Sequence, residues 1–218
     1  MTSKTADIVC LIAVAATLVA TWLLYGSLPD PMPSHWNLSG EVDGYMPRFW
    51  GAVILPLTIV FSWGLMASIR WLTREHEQRE SLWPALNAIQ VATVLFMAAL
   101  SGLVLSAAMG SGDFVARLVP MGIGIVFIVV GSVIGSVEQN RYLGIRTRWT
   151  LASEEVWKRT NRLGGRTFLL GGAVLIVASF NDGKLWGALA IVAVIAIAGI
   201  LPVIYSYQLS KRLGRDSL

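Results

Sequence analysis

Six long apolar runs constrain this chain more than any other feature. They cover residues 8–25, 50–69, 86–108, 118–137, 163–180 and 185–207. A helix of about 20 residues crosses the roughly 30 Å of hydrocarbon in a bilayer, so each run is long enough to span one. The fifth is the weakest, because Arg166 sits near its start. Charged residues make up only 14% of the chain, where soluble domains carry about 25%. In lipid every backbone N–H and C=O must be satisfied internally, which leaves helices or a closed barrel, and these runs are too long for barrel strands. The sequence therefore predicts an all-α membrane protein of six transmembrane helices, organised as one domain over residues 1–218. The first run is not read as a signal peptide. Lys4 is its only preceding basic side chain, and no clear small-x-small cleavage site ends it, although Gly26 and Ser27 are small.

The basic residues fall into alternate connections. One set holds Lys4; Arg70, Arg74 and Arg79; seven residues between Arg141 and Arg166; and Lys211, Arg212 and Arg215, which is 14 of the 17 Lys and Arg. The other set holds only Arg48, Arg117 and Lys184. The positive-inside rule then predicts both termini and segment 138–166 in the cytoplasm, with loop 26–49 outside. The net charge of +4 reads as topology and contact with anionic membrane lipids, not as direct nucleic acid binding. Cys10, the sole cysteine, can form no intrachain disulfide and reads as a packing residue.

Two connections stand out. The outer one contains Pro29, Pro31, Pro33 and Pro47, so it is not helical. Its proline-rich start is expected to run extended, close to polyproline II. Ser39-Gly40 and Asp43-Gly44 signal turns, and the loop is expected to form an ordered cap built of turns and a short hairpin. Segment 138–166 is polar, carries seven Lys and Arg residues, and contains Trp149 and Trp157. Residues 142–150 show no helical period and read as a loop on the inner surface. Thr150 or Ser153 is expected to cap a short amphipathic interfacial helix, with Val156, Trp157 and Thr160 facing lipid or protein and Lys158, Arg159 and Arg162 facing headgroups. Trp149 and Trp157 read as interfacial anchors.

Elsewhere the signals concern packing and turns. The third span is expected to begin after Trp83-Pro84, with proline in the first turn. Gly131 and Gly135 form a Gly-x-x-x-Gly pair that permits close helix approach, and Gly164, Gly165, Gly171 and Gly172 offer the same in the fifth span. Gly110–Asp113 and residues 181–183 read as outer turns. No repeat divides the six spans into similar halves.

The two polar connections also carry a resemblance. Pro33, His35, Trp36, Asn37, Gly40 and Asp43 resemble the outer-loop motif of a bacterial membrane domain of unknown function. That family often has a lysine after the Asp, where this chain has Arg48. Asn140, Gly144, Arg146, Thr147, Trp149, Thr150, Trp157, Asn161 and Arg162 resemble the signature of the SdpI-like immunity proteins, named for the sporulation-delaying peptide toxin. A proline usually follows the Thr of that Gly-x-Arg-Thr; here it is Arg148, so this turn is a point of departure. The resemblance spans motif 28–48, signature 138–166 and the six spans in order. It implies an integral protein of the bacterial cytoplasmic membrane that gives resistance to a secreted antimicrobial peptide toxin. In the founding system such a protein also recruits a cytoplasmic transcriptional repressor. On this reading His35, Trp36, Asn37, Gly40 and Asp43 meet the toxin. Glu138, Gln139, Asn140, Gly144, Arg146, Thr147, Trp149, Thr150, Trp157, Asn161 and Arg162 form the inner surface that signals, binds a partner or contacts headgroups.

Blander readings stand beside these. His35 and Asn37 would hydrogen-bond the outer loop into shape, and one histidine with Asp30, Glu41 or Asp43 is a weak metal signature. Arg146 would clamp its own loop to backbone carbonyls. No cofactor is expected. No Ser-His-Asp order, His-Glu-x-x-His or phosphate loop is present, and His35 and His76 fall on opposite sides of the membrane, so no enzyme is expected. The alternative function is a transporter or lipid-handling protein of the same fold. It would need charged groups deep in the spans, where the sequence places almost none.

Overall fold

The computed structural model describes residues 2–37, 41–73, 79–112, 114–180 and 184–216. Gly40, Arg74, His76, Asp113 and the turn at 181–183 lie outside the described residues. Among those described, six helices have the length and apolarity to cross a membrane. They are α1 (Ser3–Leu24), α2 (Arg48–Leu72), α3 (Arg79–Ala108), α4 (Val115–Ile134), α6 (Glu154–Ser179) and α7 (Lys184–Asp216), with a short α5 (Arg148–Ala152) before α6. Their outer faces are apolar: Trp22, Phe61, Val177 and Val192 are each more than half exposed. Such a surface is stable against lipid and not against water. The chain is therefore a multi-pass membrane protein.

Helix α3 sits between α1, α2 and α4, and α6 packs between α4 and α7. With six crossings both termini lie at one end of the bundle, called here the terminal end. The opposite end carries an antiparallel hairpin of β1 (Met32–Trp36) and β2 (Val42–Met46). The hairpin is anchored by Met32, which is wholly buried against Leu28, Ala52 and Leu105. The polyproline expectation is corrected here: the Asp30–Pro31 peptide is cis and Pro33 lies inside β1. A two-stranded pair has open edges, and an edge tolerates a residue that lacks an N–H.

The closest helix contact is α4 on α6, and glycines make it. A Cβ built on Gly124 would lie 2.7 Å from the carbonyl oxygen of Gly172, and one on Gly131 would lie 2.7 Å from that of Gly165. The two glycines on each helix are seven residues apart, two helical turns, so they share one face along the seam. The expected Gly131/Gly135 pair is thus half right. A Cβ on Gly135 would make ordinary contact, 3.5 Å from Arg162.

Three boundaries also differ from expectation. Pro84 lies inside α3, since that helix already includes Arg79. Residues 148–152 form α5, with Thr147 as its N-cap in a reciprocal pair with Thr150. There is no separate interfacial helix after Ser153: Ser153 caps α6, which continues unbroken to Ser179. Val156, Trp157 and Thr160 are buried in the protein and do not face lipid.

Candidate functional site

Three polar constellations emerge from this packing. The first is the hairpin. His35 Nδ1 meets Asp43 Oδ1 at 2.5 Å across the strands, with side chains 71% and 43% exposed. Beyond it, Asn37 donates its backbone N–H to the Glu41 carbonyl at 2.9 Å and its Nδ2 to Glu41 Oε2 at 3.1 Å, while Asn37 Oδ1 accepts from Glu41 N–H at 3.0 Å. These bonds hold the strand ends together around the turn. A Cβ on Gly44 would lie 2.8 Å from that of His35, so glycine lets the strands close at this pair. Asp30 accepts the N–H of Arg48 at 3.2 Å and so satisfies a donor at the start of α2. The acids suggested for a metal thus have separate partners, and no group of three metal-ligating side chains gathers among the described residues.

Beneath the hairpin lies a cavity of about 610 Å³. Its walls include Ile54 and Leu55 of α2 and Ala116 and Val119 of α4; Leu100 and Val104 of α3 form the floor. It exists because α2 and α4 both pack on α3 but scarcely on each other. Residues 33–37 of the hairpin also line it, so His35, Trp36 and Asn37 border it.

The second constellation is segment 138–166 at the terminal end. It is an internally bonded plug more than an exposed motif. Asn140 Oδ1 accepts from Tyr142 and Leu143 N–H at 2.7 and 2.8 Å, and its Nδ2 donates to the carbonyls of Glu138 and Leu143. Asn161 accepts the Ile145 N–H at 2.8 Å and donates to the Trp157 carbonyl. Gln139 donates to the Thr150 carbonyl at 2.6 Å, and Thr150 donates to that of Ile145 at 2.8 Å. Thr147 bonds Ser206 of α7 at 3.1 Å. Trp157 is corrected from surface anchor to core: its exposure is 0%, and its indole donates to the Val137 carbonyl at 2.8 Å. Trp149 is half-buried, its ring tilted against that of Tyr207 with centroids 5.0 Å apart. Arg146 donates to the Arg141 carbonyl at 2.6 Å, which is the clamp expected of it, yet its side chain remains exposed, as do those of Glu138 and Arg162. Asn140, Thr150, Trp157 and Asn161 are enclosed and so position the others. Arg148 takes the first position of α5, where a proline's missing N–H would cost nothing, so the departure from the motif leaves this turn intact.

Gly144 is required by this plug. Its φ is +130°, and a Cβ there would lie 2.6 Å from the Trp157 ring. Gly144→Ala combines backbone strain with overpacking and should destabilise the protein by about 2–4 kcal/mol. Unfolding in mixed micelles, followed by tryptophan fluorescence, checks this; an unchanged midpoint would contradict the packing described.

The sequence reading missed the third constellation. Arg70 of α2 is buried at 7% exposure and donates to Asn87 Oδ1 at 2.9 Å, Gln90 Oε1 at 2.6 Å and Asp7 Oδ1 at 2.5 Å. Trp63 donates its indole N–H to the same Asp7 oxygen at 3.0 Å. One ion pair therefore ties α1, α2 and α3 together near the terminal end. The signal was present as Asp7 inside the first helix and Asn87 and Gln90 one turn apart in the third. At the end of an apolar run, Arg70 reads from the sequence only as a loop charge.

With this geometry in place, the comparisons with known proteins agree with the motifs. Residues 136–206 match the SdpI/YfhL protein family, and residues 11–60 match a domain of unknown function (DUF1648). The two matches contain the plug and the hairpin respectively. Immunity protein SdpI of Bacillus subtilis (strain 168) is 28% identical over 208 residues, covering 95% of this chain and 97% of that protein. No solved structure matches the chain. The resemblance to SdpI-like proteins drawn from the two motifs is borne out.

Proposed function

We propose that this SdpI-like chain is an immunity protein of the bacterial cytoplasmic membrane, giving resistance to a secreted antimicrobial peptide. The observation that carries the reading is its similarity to an immunity protein along nearly the full length of both chains. The whole chain acts as one membrane domain and works by binding, not catalysis. The hairpin end faces outward and the termini inward, in keeping with 14 of 17 basic residues in the inward connections. Outside, His35, Trp36, Asn37, Gly40 and Asp43 meet the peptide. Inside, the exposed Arg146, Arg162 and Glu138, with the half-buried Trp149, contact headgroups or a cytoplasmic regulator such as a transcriptional repressor. The enclosed Asn140, Gly144, Thr150, Trp157 and Asn161, with Gln139 and Thr147, hold that surface in shape.

The test is survival of a toxin-sensitive bacterium lacking its own immunity protein, with and without this chain, across a titration of the sporulation-delaying peptide. Protection is expected. Its absence, with the protein verified in the membrane, would shift the function to transport or lipid handling. The division of labour is tested by His35→Ala against Arg146→Ala. The first should reduce peptide retention at the cell surface; the second should leave retention intact and lose the inward response. Equal loss of both properties in both variants, at normal expression, would refute the split.

A further inference from the structure

Toward the terminal end of α7 one stripe of side chains changes character along the helix. Ile200, Ile204, Tyr207 and Lys211 follow one another at helical spacing and so share a face. Ile200 and Ile204 are exposed apolar side chains, Tyr207 is 37% exposed, and Lys211 is exposed. Exposed isoleucines suit hydrocarbon, whereas tyrosine and lysine suit the level where hydrocarbon gives way to headgroups. The stripe therefore marks the level of the lipid phosphates on α7.

The plug brings a second cation to that level. Thr147 bonds Ser206 at 3.1 Å, which ties α5 to the end of α7. Trp149 of α5 then packs against Tyr207. Arg148 holds its guanidinium carbon 4.7 Å from the centre of the Trp149 ring, and Lys211 holds its ammonium 4.6 Å from that of Tyr207. Two cations thus flank one aromatic pair. A ring face attracts a cation through its quadrupole and leaves most of its N–H donors to be met elsewhere.

Other cations of the segment are already answered. Lys158 pairs with Glu154 at 2.7 Å, Arg159 pairs with Glu155 at 2.5 Å, and Arg146 donates to the Arg141 carbonyl. Among the described residues, no acid or carbonyl takes a side-chain donor of Arg148 or Lys211. An anion fits both, and the stripe beside them says which anion. A phospholipid has its two parts in the order found here, an acyl chain for Ile200 and Ile204 and a phosphate for the cations.

We infer that α5 and the end of α7 form a binding site for an anionic phospholipid. The phosphate accepts from the guanidinium fork of Arg148, Lys211 adds its point charge, and an acyl chain lies along Ile204 and Ile200. The Trp149–Tyr207 pair holds both cations at the headgroup level. This site deepens the headgroup contact proposed above by naming its lipid class; it rests on that reading and not on immunity.

The probes are phosphatidylglycerol and phosphatidylcholine with the same acyl chains, titrated onto the full chain in detergent micelles, with bound lipid counted by native mass spectrometry. Preference for phosphatidylglycerol is expected. Arg148→Gln combined with Lys211→Gln should weaken its binding about tenfold. Lys158→Gln combined with Arg159→Gln removes the same charge from cations that already have partners, and should leave the preference in place. Arg148→Pro should lose part of the affinity while unfolding as the parent does, because the first helical position needs no N–H and Thr147 is already extended. Equal binding of the two lipids overturns the inference and leaves this surface to a protein partner. Equal loss in the two double variants overturns it in favour of unspecific charge. Displacement of the lipid by an equal concentration of inorganic phosphate overturns it in favour of a soluble anion. A preference that Arg146→Ala removes and the Arg148 and Lys211 variant keeps would uphold headgroup contact at this end and refute this site. A preference that neither variant changes refutes both.

Discussion

Asp7→Ala will destabilise this protein by about 2–3 kcal/mol, below the roughly 3–5 kcal/mol for one side of a fully buried ion pair, because Arg70 is buried while the Asp7 side chain is 35% exposed. Arg70 is buried and cationic. Without Asp7 its guanidinium would be left with the amide oxygens of Asn87 and Gln90 and no counter-charge, and the Trp63 indole would lose its acceptor. The cost falls on the junction of α1, α2 and α3, so the loss should appear in the unfolding midpoint and in membrane yield together. Asp7→Leu combined with Arg70→Met removes both charges and fills their space. It should recover most of the loss, because well-packed apolar pairs commonly equal buried ion pairs in stability. If Asp7→Ala is as stable as the parent, Arg70 does not depend on Asp7 for its counter-charge. If the double variant is worse than the single one, the pair has a role beyond stability.

Gly131→Val should cost about 3 kcal/mol, at the upper end for overpacking. The Cβ it adds would lie 2.7 Å from both the Gly165 carbonyl oxygen and the Leu169 nitrogen, which are backbone atoms and cannot swing aside. Helices α4 and α6 would have to separate along their whole seam, losing the matching contact at Gly124 and Gly172 as well. Gly199→Val is the control, because nothing lies within 4 Å of a Cβ at that position of α7. Equal unfolding midpoints for the two variants would refute the glycine seam; a large loss confined to Gly131→Val supports it.

The candidate sites were legible to different degrees. The hairpin could be expected from the sequence because a short hairpin is a local structure, but the Asp43-Gly44 turn signal is corrected: both residues lie inside β2, where Gly44 pairs with His35. The His35–Asp43 pairing could be named from the sequence only as one of three acids within reach. Segment 138–166 stands out in the sequence, but its pattern misplaces Trp157 as a surface anchor. Trp157 and Asn161 look like interfacial residues in a basic stretch, yet they are the centre of a bonded plug. Burial depends on what other segments cover: Gly144 must approach the Trp157 ring, and Val137 must present its carbonyl.

Composition alone determined the number of spans, because lipid admits only long apolar helices with internally bonded backbones. Motif residues alone carried the resemblance to the SdpI-like proteins. The pairing of helices was decided by tertiary structure, as was the burial of Arg70. A glycine face, a buried arginine and a cavity between two helices each depend on which surfaces meet. Periodicity marks an apolar face and leaves its partner open. In a membrane protein lipid and protein interior are equally apolar, so hydrophobic pattern cannot tell one from the other.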